Sequence, residues 1–335
     1  MPVILPDMFV SFLASPPEIN PHYDTIRTQS ETWLSRECSF SPKFQHTLHQ
    51  LDFSYFCSVV IPLASFTKLR PLCDWGNWVF PFDDAFDNGP LQRDPAGAQE
   101  MVDACLSIID GRNAAPEQPI LHAFKSIWDR LSQQAPHGTQ KRFVKYMTTF
   151  CESNIDQVTL HSASKIPTID RLIELRRGSI GATPIFALVE YAYDLELPDS
   201  VMQHPIIEKL GEIITDIVLI QNDIVSYFKE QDLGENHNLV MVYLLKVGDI
   251  TTAFDECASL LHSRYREWYS VLAQVPFWNE QIDSQVQQYI SGIRNVAAAN
   301  LNWSFRTDRY WYGHNTRVRQ TRDVSMLVKE ERSAI

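Results

Sequence analysis

The stretch HPIIEKLGEIITDIVLIQNDIVSYFKE, residues 204–230, opens on a His-Pro pair and then runs on without a further proline. Leu210, Ile213, Ile214, Ile217, Val218 and Val225 recur largely at three- and four-residue intervals, the period of a helix with a buried face. Asn222, Ser226 and Glu230 stand at i, i+4 and i+8, which stacks an amide oxygen, a hydroxyl and a carboxylate along one side of the same helix. Three oxygen donors with no imidazole or thiolate among them suit Mg2+ better than zinc. Taken alone, the trio could equally be helix decoration, with Ser226 bonded back to the carbonyl four residues earlier and Glu230 in solvent.

Outward from this stretch the chain reads as helix after helix. PHYDTIRTQSETWL (21–34) gives a short helix, and FVKYMTTFCESN (143–154), IDRLIELRRGSIGATPIFALVEYAYDL (169–195) and IDSQVQQYISGIRNVAAANLNWSFRTDRYW (282–311) are long enough for three or more turns each. Breaks fall at Pro, Gly and polar clusters, around 88–97, 131–138 and 196–200. Strand-like alternation is scarce, and no GxGxxG, Walker sequence or internal repeat is present. The expectation is one all-α domain: residues 1–45 as a strap or short helical segment packed on the body, 46–314 as the body, and 315–335 as a polar, loose tail.

Composition narrows the function classes. With 335 residues, 44% of them hydrophobic, and 18 Phe, 12 Tyr and 8 Trp, a large core is available. A net charge of -12 and a pI near 5.3 argue against a broad basic face for nucleic acid. Cys38, Cys57, Cys73, Cys105, Cys151 and Cys257 are widely and irregularly spaced, as buried thiols in a reducing compartment would be. MPVILPDMFVSF lacks the basic and apolar regions of a secretory leader, and no apolar run reaches the roughly 18 residues of a membrane span. A cytoplasmic protein is expected.

A second acidic cluster lies far upstream. In FPFDDAFDNGP, residues 80–90, Asp83 and Asp87 are four apart and lie on one face of a helix, with Asp84 one position round from Asp83 and three from Asp87. Like charges at that spacing cost a few tenths of a kcal/mol per pair, and a helix C-terminus adds to the penalty. A divalent cation with oxygen ligands removes it; the plain alternative is a solvated helix end entering the Asn88-Gly89-Pro90 turn. Phe80, Phe82 and Phe86 interleave with the acids, so an apolar cavity would meet a charged rim here, a boundary that suits an amphipathic ligand. Positive donors for an anion are also at hand. Lys229 adjoins Glu230, Arg176 and Arg177 precede a Gly-Ser-Ile-Gly grouping that would bend or unwind a helix, and Arg309 adjoins Tyr310.

With these elements the chain resembles the class I terpene cyclases, specifically the single-domain microbial and fungal sesquiterpene synthases. DDAFD (83–87) resembles their aspartate-rich motif, and NDIVSYFKE (222–230) their second metal motif, lysine included. RLIELRRGSIG resembles the element carrying their diphosphate-sensing arginine, Arg176 by spacing with Arg177 as the alternative, followed by Ser179, Ile180 and Gly181; the acidic linker of some relatives is Ser179 here. Arg309-Tyr310 resembles their late Arg-Tyr pair. The resemblance covers roughly 52–312. It implies an antiparallel helical bundle of the class I terpene synthase type enclosing an apolar cavity.

The resemblance also implies a reaction. Mg2+, three ions in the family, would be held by Asp83, Asn222, Ser226 and Glu230, with Asp84 and Asp87 acting through water or through hydrogen bonds to Arg or Lys, while Asp223 need not touch metal. Arg176, Lys229, Arg309 and Tyr310 would hold the diphosphate of a prenyl diphosphate substrate, farnesyl diphosphate by default, which ionises and cyclises to a C15 product. Phe56, Phe80 and Trp303 are the expected aromatic wall, with Ser179, Ile180 and Gly181 beside it; Trp75 and Trp78 are expected to be structural. A trans-prenyltransferase, a cyclase of geranyl or geranylgeranyl diphosphate, and a non-catalytic helical binding protein are the alternatives. A monomer or homodimer is expected.

Overall fold

The structure, a computed structural model, describes residues 2–87, 89–112, 116–162, 166–234 and 237–328. Asn88, first residue of the expected turn, and residues 329–335 of the expected tail lie outside these. Among the described residues the architecture is all-helical: α1 (Tyr23–Glu37), α2 (Pro42–Leu51), α3 (Phe53–Val60), α4 (Phe66–Asp87), α5 (Pro95–Ile109), α6 (Pro119–Ser132), α7 (His137–Ser162), α8 (Ile169–Ser179), α9 (Ala182–Ala192), α10 (Asp199–Met202), α11 (Pro205–Leu233), α12 (Leu239–Val247), α13 (Ile250–Leu272), α14 (Glu280–Ser304) and α15 (Asn315–Thr321). No described helix is long and apolar enough to cross a membrane.

Helix α11 is the central element. Pro205 at its first position has no N–H to leave unpaired, and Gly234 at φ 74° ends it in the left-handed region. It packs on α13, α14, α12, α8 and α9. The periodic stripe suggests one buried face; in fact every residue from Ile213 to Phe228 is buried except Asn222. A helix enclosed on all sides is expected to be apolar all round, so the polar residues it keeps at this depth need local partners. Burial of each large aliphatic here contributes about 1.5–3 kcal/mol, enough to carry the polar residues the helix also encloses.

Helix α4 packs against α1, α3, α6, α7 and α9 and carries the first acidic cluster in its last turn. Pro71 and Pro81 lie inside it, each removing one backbone hydrogen bond. Burial of Trp78, Phe82 and Phe86 offsets that loss; Trp78 stacks between Phe82 and Phe124, and its Nε1 donates to the Ile120 carbonyl at 2.7 Å.

Two expectations about helix extent change. Helix α14 stops at Ser304, and 305–314 is a series of turns in which Tyr312 (φ 50°) and Gly313 (φ 84°) reverse the chain. The indole of Trp311 clamps the reversal by donating to the Ser304 carbonyl at 2.7 Å. Arg309 and Tyr310 therefore sit on a turn rather than on a continued helix. The C-terminal segment, expected to be loose, carries a helix as well: α15 buries Val318, and the Arg322 carbonyl after it accepts from Leu5 N–H at 2.8 Å.

Candidate active site

One cavity opens at the C-terminal ends of α4 and α11 and runs inward between α3, α4, the α8–α9 junction, α11 and α14. Its mouth carries Asp83, Asp87, Arg176, Asn222, Lys229, Glu230, Arg309 and Tyr310, and its depth Phe53, Phe56, Phe80, Phe150, Ile185, Val218, Val296 and Trp303. Sequence-distant polar residues and the expected aromatics thus share one space.

Arginine 176 ties the second jaw together. Its Nη2 donates to Asn222 Oδ1 at 2.8 Å and to Asp223 Oδ1 at 2.9 Å. Burial works against its charge, but Asp223, Glu230 and Asp87 outweigh that and hold the guanidinium above the ordinary arginine value. Arg177 points elsewhere: its Nε and Nη2 donate to Asp216 at 2.6 and 2.8 Å, outside the cavity. Asp223 itself is fully buried, with Oδ2 accepting from the Leu239 backbone N–H at 2.7 Å, so it faces α12 and Arg176 instead of open space. Tyr310, its hydroxyl pushed up to about 12 by burial, lies 3.4 Å from Asn222 Nδ2.

The first jaw is held just as specifically. Arg309 donates to Asp84 at 2.8 Å and lies over the Phe80 ring, 5.0 Å from its centroid. Gln157 on α7 donates to Asp87 Oδ1 at 3.0 Å. Burial, then the Asp87 and Asp84 charges, hold the Asp83 carboxyl well above the usual carboxylate range, and burial pushes Asp87 up to about 6 against the pull of Arg176. Lys229 is lowered by burial and by Arg309, against the nearby acids.

Five acids, Asp83, Asp84, Asp87, Asp223 and Glu230, thus gather around three bases, Arg176, Lys229 and Arg309. The acids outnumber the bases, and their carboxylate oxygens, with the neutral amide oxygen of Asn222 beside them, are the donor set of a hard divalent cation. Among the described residues no three His, Cys, Asp or Glu side chains converge into a cage; the donors stand instead on two separate jaws, and the Asn222 amide is one of them.

Some placements differ from expectation. Ser226 is 1% exposed and does not line the cavity; its hydroxyl accepts from Asn238 Nδ2 at 3.4 Å. The same Nδ2 donates to Glu230 Oε2 at 2.9 Å, while Asn238 Oδ1 caps α12 by accepting from Val240 N–H at 2.8 Å. Trp75, expected to be structural, lines the cavity, because α4 turns it inward one turn before Val79. Trp78 does serve packing. Phe56, Phe80, Ser179, Ile180, Gly181 and Trp303 all line the cavity. Trp303 is pinned edge-on to Phe53 by its Nε1, which donates to the Leu51 carbonyl at 2.6 Å. Gly181, at φ 70°, makes the left-handed step between α8 and α9 that brings 179–181 to the wall. Gln157, Asn238 and Asn300 carry no local signal of a role: each acts through a contact to another helix.

Known proteins resemble the chain along most of its length. Residues 74–267 match the family described as Terpene synthase family 2, C-terminal metal binding. Silphinene synthase of Penicillium patulum is 35% identical over 97% of this chain and 90% of its own length. Sesquiterpene synthase 1 of Postia placenta is 30% identical over 97% of this chain and 95% of its own. In fold, the crystal structure of germacradien-4-ol synthase from Streptomyces citricolor superposes with a TM-score of 0.74 at 23% identity, covering 91% of this chain and 98% of that one.

Proposed function

This chain belongs to the terpene synthase family and is a terpene cyclase; from that premise we propose that it ionises farnesyl diphosphate with Mg2+ and cyclises the resulting cation to a C15 hydrocarbon or alcohol, releasing inorganic diphosphate. The observation that carries the reading is the meeting of two oxygen-rich jaws and three basic side chains at the mouth of one aromatic-walled cavity. Asp83 on one jaw and Asn222 and Glu230 on the other would hold the metal, three ions in all, and Ser226 would join them once its hydroxyl turns from Asn238 toward the cavity. Asp84 would act through its bond to Arg309, and Asp87 through Gln157 or water. When bound, the metal supplies positive charge that stabilises the departing diphosphate.

The chain's own groups do the rest. Arg176, Lys229, Arg309 and Tyr310 would donate to the diphosphate oxygens as the carbon–oxygen bond breaks, an electrostatic contribution that is largest in a site closed to water. Phe53, Phe56, Phe80 and Trp303 turn ring faces and edges on one another around the hydrocarbon space. Ring faces stabilise a nearby cation by about 0.5–2 kcal/mol each and leave no nucleophile to trap it early. All these groups belong to one chain, so a monomer is a complete catalyst and a homodimer would carry two such sites. Residues 46–314 carry the chemistry, with 2–45 and 315–328 packed on that body. All six cysteines are free, in keeping with work in the cytoplasm.

The test is incubation of the purified chain with C10, C15 and C20 prenyl diphosphates and Mg2+, read by gas chromatography with mass detection and by diphosphate release. A C15 cyclic product from farnesyl diphosphate is expected. Folded protein that turns over none of the three would refute the activity, and a product formed only with added isopentenyl diphosphate would make it a prenyltransferase.

A further inference from the structure

Deep in the cavity wall the aromatic lining is broken by one amide. Asn300 of α14 lies between Val296, one turn before it, and Trp303, one turn after, facing Val218 of α11. Its Nδ2 donates to Gln221 Oε1 at 3.0 Å and to the Val218 carbonyl at 3.3 Å. A main-chain carbonyl only accepts, so the group turned toward Val218 is the NH2. Both N–H bonds are thereby used, the side chain cannot swing, and Oδ1 has no partner among the described residues. Asn300 is 5% exposed, and the space it borders is the cavity.

Placing a fixed, unpaired amide oxygen among apolar groups costs free energy unless the occupant compensates it. Val218 precedes Asn222 by one turn, so this oxygen stands about 6 Å along α11 from the diphosphate end, level with hydrocarbon rather than with phosphate. A hydrocarbon offers such an oxygen nothing while neutral. Once the chain carries positive charge, the negative end of a preoriented dipole stabilises whichever carbon lies beside it, and strongly so in a low-dielectric space. We propose that Asn300, oriented by Gln221, is a specificity-determining residue whose amide oxygen favours positive charge at one carbon of the folded chain and so selects among cyclisation routes. This rests on the terpene cyclase reading of the same cavity.

The test uses Asn300→Leu, close in volume, and the double variant Asn300→Leu/Gln221→Leu, which removes both members of the buried pair so that no amide is left unpaired. Two quantities are measured on each folded protein. The first is the product distribution from farnesyl diphosphate; the second is the calorimetric affinity for benzyltrimethylammonium relative to its neutral carbon isostere neopentylbenzene, with Mg2+ and inorganic diphosphate present. The expected result is a loss of the main product by about tenfold in favour of products that leave the route earlier, together with an ammonium preference reduced about tenfold. Unchanged product proportions would overturn the proposal, and so would altered products with an unchanged ammonium preference, since shape alone would then explain them. If the unaltered protein turned over no prenyl diphosphate, the cyclase reading would fail while the ammonium comparison still reported on Asn300.

Discussion

Arg176 and Arg177 are neighbours in sequence and separate in fate. Arg176 has an 11% exposed side chain on Asn222 and Asp223, whereas Arg177 is bound to Asp216 and Glu212 at the surface. Arg176→Lys is expected to lower kcat by about 10²-fold, since a single ammonium cannot reproduce the forked donors. Arg177→Lys should leave kcat within about threefold and cost about 1–3 kcal/mol of stability, since the forked bonds to the buried Asp216 carboxylate are lost. Steady-state kinetics with denaturant unfolding on both variants separates the two, and equal losses would return the choice to open. Asn222→Ala removes the one polar side chain of the enclosed stretch of α11 that lines the cavity, together with the acceptor for Arg176. Turnover is expected to fall about 10²-fold with an unchanged circular dichroism spectrum; full activity would mean that the second jaw lies elsewhere. The i, i+4, i+8 spacing that singles out Asn222 is legible because it depends only on helix geometry. Choosing Arg176 over Arg177 depends on where α8 sits against α11, which no local pattern states.

At the level of elements, the α8–α9 junction depends on close approach. A side chain on Gly178 would collide with Ser153 Oγ and meet Ser153 Cβ at 2.7 Å, so α8 can lie against α7 only with glycine there. Gly178→Ala is expected to destabilise the protein by about 1–3 kcal/mol and to raise KM by displacing Arg176, two residues away. Adding Ser153→Gly should restore both quantities; failure of that second change to rescue KM would show that Arg176 is positioned from another side. The start of α11 was readable in the sequence from the His204-Pro205 pair, where Pro205 takes the first helical position. The end of α14 was not, because Ser304 is no helix breaker. Its end depends on Trp311 folding back onto the Ser304 carbonyl.

Across the whole molecule, the two ends of the chain close the bundle on one another. Val3 N–H donates to Ser325 Oγ at 2.9 Å, Ile4 forms an antiparallel bridge with Asp323, and Leu5 is 1% exposed. Leu5→Ala is expected to cost about 2–4 kcal/mol, and limited proteolysis should then cut first near 315–328, since that segment loses its partner. Wild-type resistance in that region of the variant would show that the ends are held independently. The apolar residues of the first segment show no sustained helical period, and the partner that buries Leu5 becomes visible only when the C-terminal segment is placed beside it.

The helical class, the two oxygen-rich faces and the stock of aromatics are legible along the chain, since each is a matter of residue type and spacing along one helix. Only the tertiary structure decided which residues share the cavity: Arg176 over Arg177, Trp75 facing inward, Ser226 turned to Asn238, and Asn300 pinned by Gln221 with its oxygen toward the substrate space. The physical reason is range. Helical periodicity is set by backbone hydrogen bonds four residues apart, whereas a side chain's facing is set by helices packed from distant parts of the chain, whose mutual rotation a one-dimensional pattern does not encode.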